Sequence, residues 1–352
     1  MIQVIPYTPR DSKKWDSYVK THPDANLYHL SFFQSVVENT YGHRSFYFQA
    51  IDENSQIRGI LPLFFIRSLI FGKELVSLPF CDYGGILADS PEITQLLFQK
   101  AEELMRNLKC KDIELRQISK QPFFNHRNAI FTANSSVKST KVRMFLDLPD
   151  SADTLFSSFS AKLRSQIRKP QKDGCTCLNG GVELLDDFYE VFLFNMRDLG
   201  SPVHSKLIIK NMLTGYPGFS HIFVVYHSKT PVACSLACSI NNMLVNPWAS
   251  FKRTYQKSAP NMLLYWEMLK FAINNGYRVF DFGRSTPDEG TYRFKAQWGA
   301  TSQPLYWYRY GSSTGSSGDV SAKEESFIKI WRKLPLRVTA VFGPMLRRHI
   351  HL

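Results

Sequence analysis

One order of secondary-structure elements occurs twice in this chain of 352 residues, and it limits the available folds more than any composition does. In the first half, Ser45–Ile51 reads as a strand, Asp52-Glu-Asn-Ser-Gln56 as a polar turn, Ile57–Ile66 as a second strand and Glu74–Phe80 as a third. After the Gly84-Gly85 break, Pro91–Leu108 reads as a helix. Leu96, Leu97, Ala101, Leu104 and Leu108 form its apolar face, and Ser90-Pro91 supplies an N-cap and a first-turn proline. Asp112–Arg116 is then a short strand. The second half repeats the order: strands His221–Tyr226, Val232–Ile240 and Met243–Ala249, a helix Asn261–Asn274 closed by Gly276, and a short strand Arg278–Phe282. Two copies of a βββαβ unit predict an α/β fold with a twisted mixed sheet flanked by helices in each half. The repeat lies in element order rather than in letters.

The segment between the copies, Ser151–Lys172, carries Leu155, Phe159, Leu163 and Ile167 at four-residue spacing. That is one helix face, with Ser151 as N-cap and Pro170 as terminator. Lys162, Arg164, Arg168, Lys169 and Lys172 crowd its end before the first acid, Asp173. Such cations complement the helix dipole. Five within eleven residues also suit a phosphate or other polyanion. Two further helices are expected near Leu185–Met196 and His204–Leu213. Gly311–Asp319 reads as a flexible linker. The basic, apolar tail after it suits either a docked helix or an amphipathic segment on a membrane surface. The expected organisation is therefore residues 1–149, 150–310, and a linker with tail at 311–352, which suits roughly 150 residues per domain.

Lys plus Arg exceed Asp plus Glu by 43 − 30 = 13, which favours polyanionic partners. The first residues carry no apolar signal-peptide core, and no run approaches the roughly 20 apolar residues of a membrane-spanning helix. The six cysteines show no zinc or disulfide spacing, and the histidines form no HExxH pair, so no metal site is expected. Reduced, buried thiols and the lack of an export signal point to the cytoplasm, with the tail allowing contact with the inner membrane face.

Asp281-Phe-Gly283 lacks the GxGxxG, VAIK and HRD partners of a protein kinase, and no P-loop or dinucleotide fingerprint is present. Chemistry concentrates instead in Arg278–Gly299, RVFDFGRSTPDEGTYRFKAQWG. A strand ends near Asp281, Gly283 permits a turn, and Arg284 stands at the strand's mouth, where α/β sheets bind ligands. Thr291–Trp298 reads as a short helix whose start suits a phosphate or carboxylate. Arg284 offers a fork and Lys295 a point charge. The plainer alternative pairs Asp281 with Arg284 and leaves Phe294 and Trp298 as helix anchors.

Six phrases occur together: Tyr41-Gly-His-Arg44, Leu78-Pro-Phe-Cys-Asp-Tyr-Gly-Gly85, the basic run Arg164–Lys172, Asp198-Leu-Gly-Ser-Pro-Val203, Asn261-Met-Leu-Leu-Tyr-Trp-Glu267 and Trp331-Arg-Lys-Leu-Pro-Leu336. With DFGRS…GTYRFKAQWGA and the strand PLYWYRY, the chain resembles FemAB-like proteins almost throughout. It is most similar to those associated with exosortase (PEP-CTERM) and exopolysaccharide loci. The resemblance implies a duplicated Gcn5-related N-acetyltransferase (GNAT) fold with a BioF2-like acetyltransferase domain in the second half. It implies transfer of an aminoacyl group from charged tRNA, or of an acyl group from acyl-CoA, to an amine of a peptidoglycan, glycan or exopolysaccharide precursor. No tightly bound cofactor is implied. Two family features are missing. The nearest match to the Q/RxxGxG/A pyrophosphate loop, Gln171-Lys-Asp-Gly-Cys-Thr176, fails at its last position, and no heptad run matches a coiled-coil arm.

Under this resemblance Lys295 contacts the donor or the developing oxyanion, Asp281 is a base or orients the amine, and Arg284 holds a phosphate or the oxyanion. Tyr83 beside Gly84 and Gly85 lines an acceptor groove, or is a strand-end aromatic. Arg164, Arg168, Lys169 and Trp298 complete the expected binding residues. Readings from other classes are a non-catalytic scaffold at the membrane and an RNA-binding protein using Arg164–Lys172, although no RNP1 signature is present.

Overall fold

The structure is a computed structural model that describes residues 1–68, 72–120, 141–311 and 325–351. The first half contains β1 (Gln3–Pro6), α1 (Ser12–Thr21), α2 (Phe32–Tyr41), β2 (Arg44–Ile51), β3 (Ile57–Ser68), β4 (Gly72–Val76), β5 (Leu87–Ala88), α3 (Pro91–Leu108) and β6 (Asp112–Gln117). Strands β2, β3 and β4 are antiparallel neighbours, and α3 carries the chain across to β6, which lies parallel to β4. Ser90 Oγ accepts the Ile93 N–H at the start of α3. Leu97, Phe98 and Ala101 of α3 are buried against the sheet, whereas Leu96 is exposed. The inward stripe is thus rotated from the expected one toward Ile93 and Phe98, which the three- and four-residue spacing also allows.

The second half follows β7 (Val142–Asp147), α4 (Ala152–Ser158) and α5 (Ala161–Lys172) with β8 (Cys175–Gly180), α6 (Leu185–Leu199), α7 (Lys206–Gly215), β9 (Ser220–His227), β10 (Thr230–Ile240), β11 (Met243–Phe251), α8 (Pro260–Asn274), β12 (Val279–Ser285), α9 (Gly290–Ala296), β13 (Thr301–Pro304) and β14 (Tyr306–Gly311). Here too a three-strand antiparallel run is followed by a crossover helix, α8, and a parallel strand, β12. The expected duplication of a mixed α/β sheet is therefore present.

Two local expectations change. Ser151–Lys172 is two helices, because Phe159 is extended and Ser160 starts a new helix by accepting the Leu163 N–H. Leu155, Phe159, Leu163 and Ile167 are all buried nonetheless. Pro170 lies inside α5 instead of ending it. Its φ suits a helix, and near the C-terminus its missing N–H removes a single bond. The third strand stops at Val76 rather than Phe80; Leu78 and Phe80 adopt positive φ and turn the chain away.

The sheets do not follow the division of the chain at 149/150. Their orders are β1-β2-β3-β4-β6-β14, with β5 on β3, and β13-β7-β12-β11-β10-β9-β8. Thus β7, from the first segment, sits inside the second sheet, and β14, from the second, completes the first sheet beside β6. One apolar core runs between the halves, joining Phe33, Val36 and Val37 to Phe188, Ile209 and Met212.

Most of the expected linker lies outside the described residues. Beyond it, α10 (325–331) and α11 (Leu336–Arg347) dock on α6 and on the loop that follows it. Among the described residues no helix is long and apolar enough to cross a membrane. The last described residues reach the place where β4 and β6 part. The His351 carbonyl accepts from the Phe80 N–H (3.1 Å) and from Arg116 (2.9 Å), and its ring lies 3.0 Å from Glu74.

Because each half lends a strand to the other, fragments 1–149 and 150–352 produced separately should each lack the cooperative thermal transition of the intact chain. Co-expression should restore it. Circular dichroism melts test this, and a cooperative transition in either isolated fragment would refute it.

Candidate functional site

The site forms where β11 and β12 separate. They pair through Met243–Val245 and Val279–Asp281 and then diverge. Against β10, β11 steps from Val245 to Trp248 while β10 steps only from Cys238 to Leu236, so Asn246-Pro247 is a bulge. Pro247 has no N–H to offer a neighbouring strand. The buried Asn246 amide ties the bulge to Ser235, Leu236 and Trp248 in the orientation that gives its nitrogen acceptors. Against β7, β12 carries its own extra residue at Phe282, followed by Gly283 at φ +75°. A Cβ there would strain the backbone and meet Asp82 Oδ2 at 3.2 Å.

Asp281, wholly buried, spends both oxygens on protein donors. Its Oδ1 accepts the Gly283 N–H (2.7 Å); its Oδ2 accepts Arg143 Nε (2.6 Å) and the Tyr83 hydroxyl (3.2 Å). Burial, and then the Asp281 charge, push the Tyr83 hydroxyl far above its ordinary range, so it remains a donor. Arg284 pairs with Asp82 rather than with Asp281: its N–H donates to Oδ2 (2.8 Å) and its Nε lies 3.3 Å from Oδ1. Its guanidinium stacks 4.9 Å from the Trp307 ring, on which Arg116 also stacks at 4.4 Å. Trp307 Nε1 in turn donates to the Asp82 carbonyl (2.9 Å).

Lys295 projects from α9 under this turn. Its buried ammonium donates to the carbonyls of Gly283 (3.0 Å) and Arg284 (2.8 Å). Burial lowers its pKa to about 8, with Asp82 and Asp281 opposing the shift. One of its three protons has no partner among these two bonds. The loop Cys81–Gly85 of the first half closes over the site. It is held by Arg116 Nη1 on the Cys81 carbonyl (2.6 Å), Asn26 on the Tyr83 carbonyl (2.5 Å) and the Gly84 N–H on the Arg116 carbonyl (2.8 Å). Added Cβ atoms at Gly84 and Gly85 would stand 2.5 Å from Leu78 and 2.4 Å from Gln117, so close packing explains both glycines.

Lys295, Asp281, Arg284 and Tyr83 therefore converge, with Gly84 and Gly85 on the covering loop. Arg164, Arg168 and Lys169 do not join them by any hydrogen bond or ion pair described. Arg164 closes the end of α4 through the Phe159 carbonyl (2.6 Å), Arg168 stacks on Phe156 and Lys169 pairs with Asp173. Trp298 packs among Phe159, Tyr265 and Phe294 and lines a cleft of about 570 Å³ with Thr154, Ser160 and Gln297. A second cleft of about 340 Å³, with Lys20, His22 and Arg143, lies at the opposite, starting ends of β11 and β12. Neither cleft is lined by Lys295, so the convergence of charged groups, not cavity size, marks the site. The start of α9 is a poor anion site: it is seven residues long and Glu289 stands at its N-cap.

Sequence reasoning missed Asp82, Arg143, Arg116 and Trp307. Arg143 left one signal, a cation within the apolar strand VRMFLD, and Asp82 stood unremarked inside a quoted phrase. The pyrophosphate-loop comparison fell on the turn between α5 and β8. The crossover out of the parted strand is instead Lys252–Ala259, where Arg253 and Lys257 are exposed.

Residues 157–296 match the family described as the acetyltransferase (GNAT) domain. That span contains Asp281, Arg284 and Lys295 but excludes Arg143 and the covering loop. An acetyltransferase domain around this cluster makes the chain an acyltransferase. Among solved structures it is similar to FemX, at 15% identity over 88% of this chain and 97% of that one, with a TM-score of 0.68. It is also similar to L-PGS from Bacillus licheniformis (11%, 92% and 98%, 0.55). A tandem GNAT protein from the clavulanic acid biosynthesis pathway matches comparably (11%, 90% and 100%, 0.54). At these identities the likeness is one of fold. No curated protein matches the chain in sequence.

The Lys295 shift has a thermodynamic sign. Between its folded value of about 8 and its ordinary 10.5 the folded chain binds fewer protons than the unfolded one, so stability rises with pH. Measured by urea unfolding against Lys295→Met, wild-type stability should gain up to ~1.4 kcal/mol per pH unit across that window. A pH-independent difference would refute the assignment.

Proposed function

We propose that this acyltransferase transfers an acyl or aminoacyl group directly to an amine at the parting of β11 and β12, with no covalent enzyme intermediate. The amine nitrogen attacks the donor carbonyl and forms a C–N bond; the ester or thioester bond breaks, the nitrogen loses a proton, and the leaving oxygen or sulfur gains one. The observation that carries this reading is the buried Lys295 ammonium, which has a proton to spare at the mouth of the parted strands. Its role is to stabilise the oxyanion. Asp281, with both oxygens engaged, fixes Arg143 and Tyr83 and so orients the incoming amine. Arg284, held by Asp82 over Trp307, contacts the donor.

The acetyltransferase domain implies acyl-CoA as donor. The sequence resemblance to FemAB-like proteins supports aminoacyl-tRNA as the other candidate. Both carry phosphates, for which Arg253 and Lys257 before α8, and Arg164, Arg168 and Lys169 on the adjacent α5, offer cations. The same likeness supports an amine of a peptidoglycan or related envelope-glycan precursor as acceptor, and the exosortase and exopolysaccharide setting follows from the sequence resemblance.

Labelled acyl-CoA and, separately, charged tRNA, each supplied with an amine acceptor, test the reading; consumption of neither donor would refute it. Lys295→Ala should lower kcat by ~10²-fold or more with the fold retained by circular dichroism. Wild-type turnover should fall as pH rises through about 8, where Lys295 loses its charge. Unchanged turnover in the variant would remove Lys295 from the reaction.

A further inference from the structure

The tail is docked, yet only one side of it is covered. In α11, Thr339 and Gly343 face inward. Gly343 is so close that a Cβ would stand 2.8 Å from Val203, and Arg347 of the same stripe reaches His204 at 3.0 Å. In α10, Trp331 is buried and Ile328 lies against Gly200. The opposite side is open: Ile330 is 63% exposed, Val341 61%, Phe342 53% and Met345 58%, with Phe327, Leu346 and the neighbouring Leu199 also exposed. Residues 341, 342 and 345 share one face of α11. Elsewhere on the described surface, exposed large apolar side chains stand singly or far apart in sequence, as is ordinary for a soluble surface.

Charge tells what covers this patch. From Phe327 to the end of the chain there is no Asp or Glu, while Lys329, Arg332, Lys333, Arg337, Arg347 and Arg348 are all present. All of these except Arg347 are exposed. Arg337 and Arg348 sit beside Val341 and Met345 on the outer side of α11 by helical position. Apolar side chains ringed by cations, with one acid on these two helices, Glu325 at the start of α10 beside Lys329 (3.9 Å), match an anionic lipid surface, where the apolar groups enter the acyl boundary and the cations meet headgroups. A second copy of the chain fits poorly, because a two-fold contact would set this cationic face against itself.

We propose that the outer face of α10 and α11 docks the protein on a membrane containing anionic phospholipid. This stands apart from the acyl-transfer reading, since none of these residues belongs to the Lys295 site.

The test is cosedimentation of the full chain with vesicles of phosphatidylcholine alone and of phosphatidylcholine mixed with phosphatidylglycerol. Binding is expected only to the mixed vesicles, and it should weaken sharply as ionic strength rises from ~0.1 M to ~1 M. Phe342→Glu with Met345→Glu, and separately Arg337→Glu with Arg348→Glu, should each weaken binding by about tenfold or more and leave the thermal transition in place. No binding to the mixed vesicles, or equal binding to both kinds, would overturn the proposal. So would a wild-type dimer that stays off vesicles and becomes monomeric in the Phe342→Glu, Met345→Glu variant, since the patch would then bind a second copy.

Discussion

The buried contact of Arg143 with Asp281 is the interaction on which the rest of the site depends. Arg143 comes from β7, a strand that precedes the second half yet lies inside its sheet; Asp281 closes the parallel pairing of β11 and β12. A buried carboxylate without a cation would be very costly, and a buried guanidinium equally so. Each therefore needs the other, and their meeting requires β7 to lie beside β12 in the second sheet. The same pair holds Tyr83 in place, and with it the loop that covers Lys295. Chemistry and connectivity are thus one problem in this molecule: the crossing strand that completes the sheet also brings the counter-ion.

Around that pair the charges are arranged in linked couples. Asp82 binds Arg284, Trp307 lies beside both Arg284 and Arg116, and Arg116 holds the Cys81 carbonyl. Lys295 is different, since its bonds go to neutral carbonyls rather than to a carboxylate. Desolvation with only distant compensation leaves its pKa near neutrality. A lysine so placed can change charge, or meet a changing charge, at little cost in reorganisation.

The repeat was legible because it rests on local patterns. Strand alternation, the Ser90 cap and the α3 boundaries all depend on neighbours a few residues apart, and Asp281, Arg284 and Lys295 fall within one stretch of sequence. What could not be read is non-local. The pairing of Gln117 with Tyr306, and of Val142 with Ser285, leaves no mark in hydrophobic period. Asp82 and Arg143 acquire meaning only through partners some two hundred and well over a hundred residues away. The split of Ser151–Lys172 into two helices was hidden for another reason. Phe159 keeps its place in the buried series although its backbone is extended, so periodicity continued across the break.

The two copies differ most at their partings. In the second sheet the strands separate around Lys295 and its neighbours. In the first, the corresponding separation of β4 and β6 holds His351, clasped by Arg116, Glu74 and the Phe80 amide. The chain has filled one of its own clefts with its own residues, so the first copy serves as architecture for the second. Two modules of one element order thereby diverge in use: one parting is occupied by the chain's own His351, the other by the charged groups around Lys295.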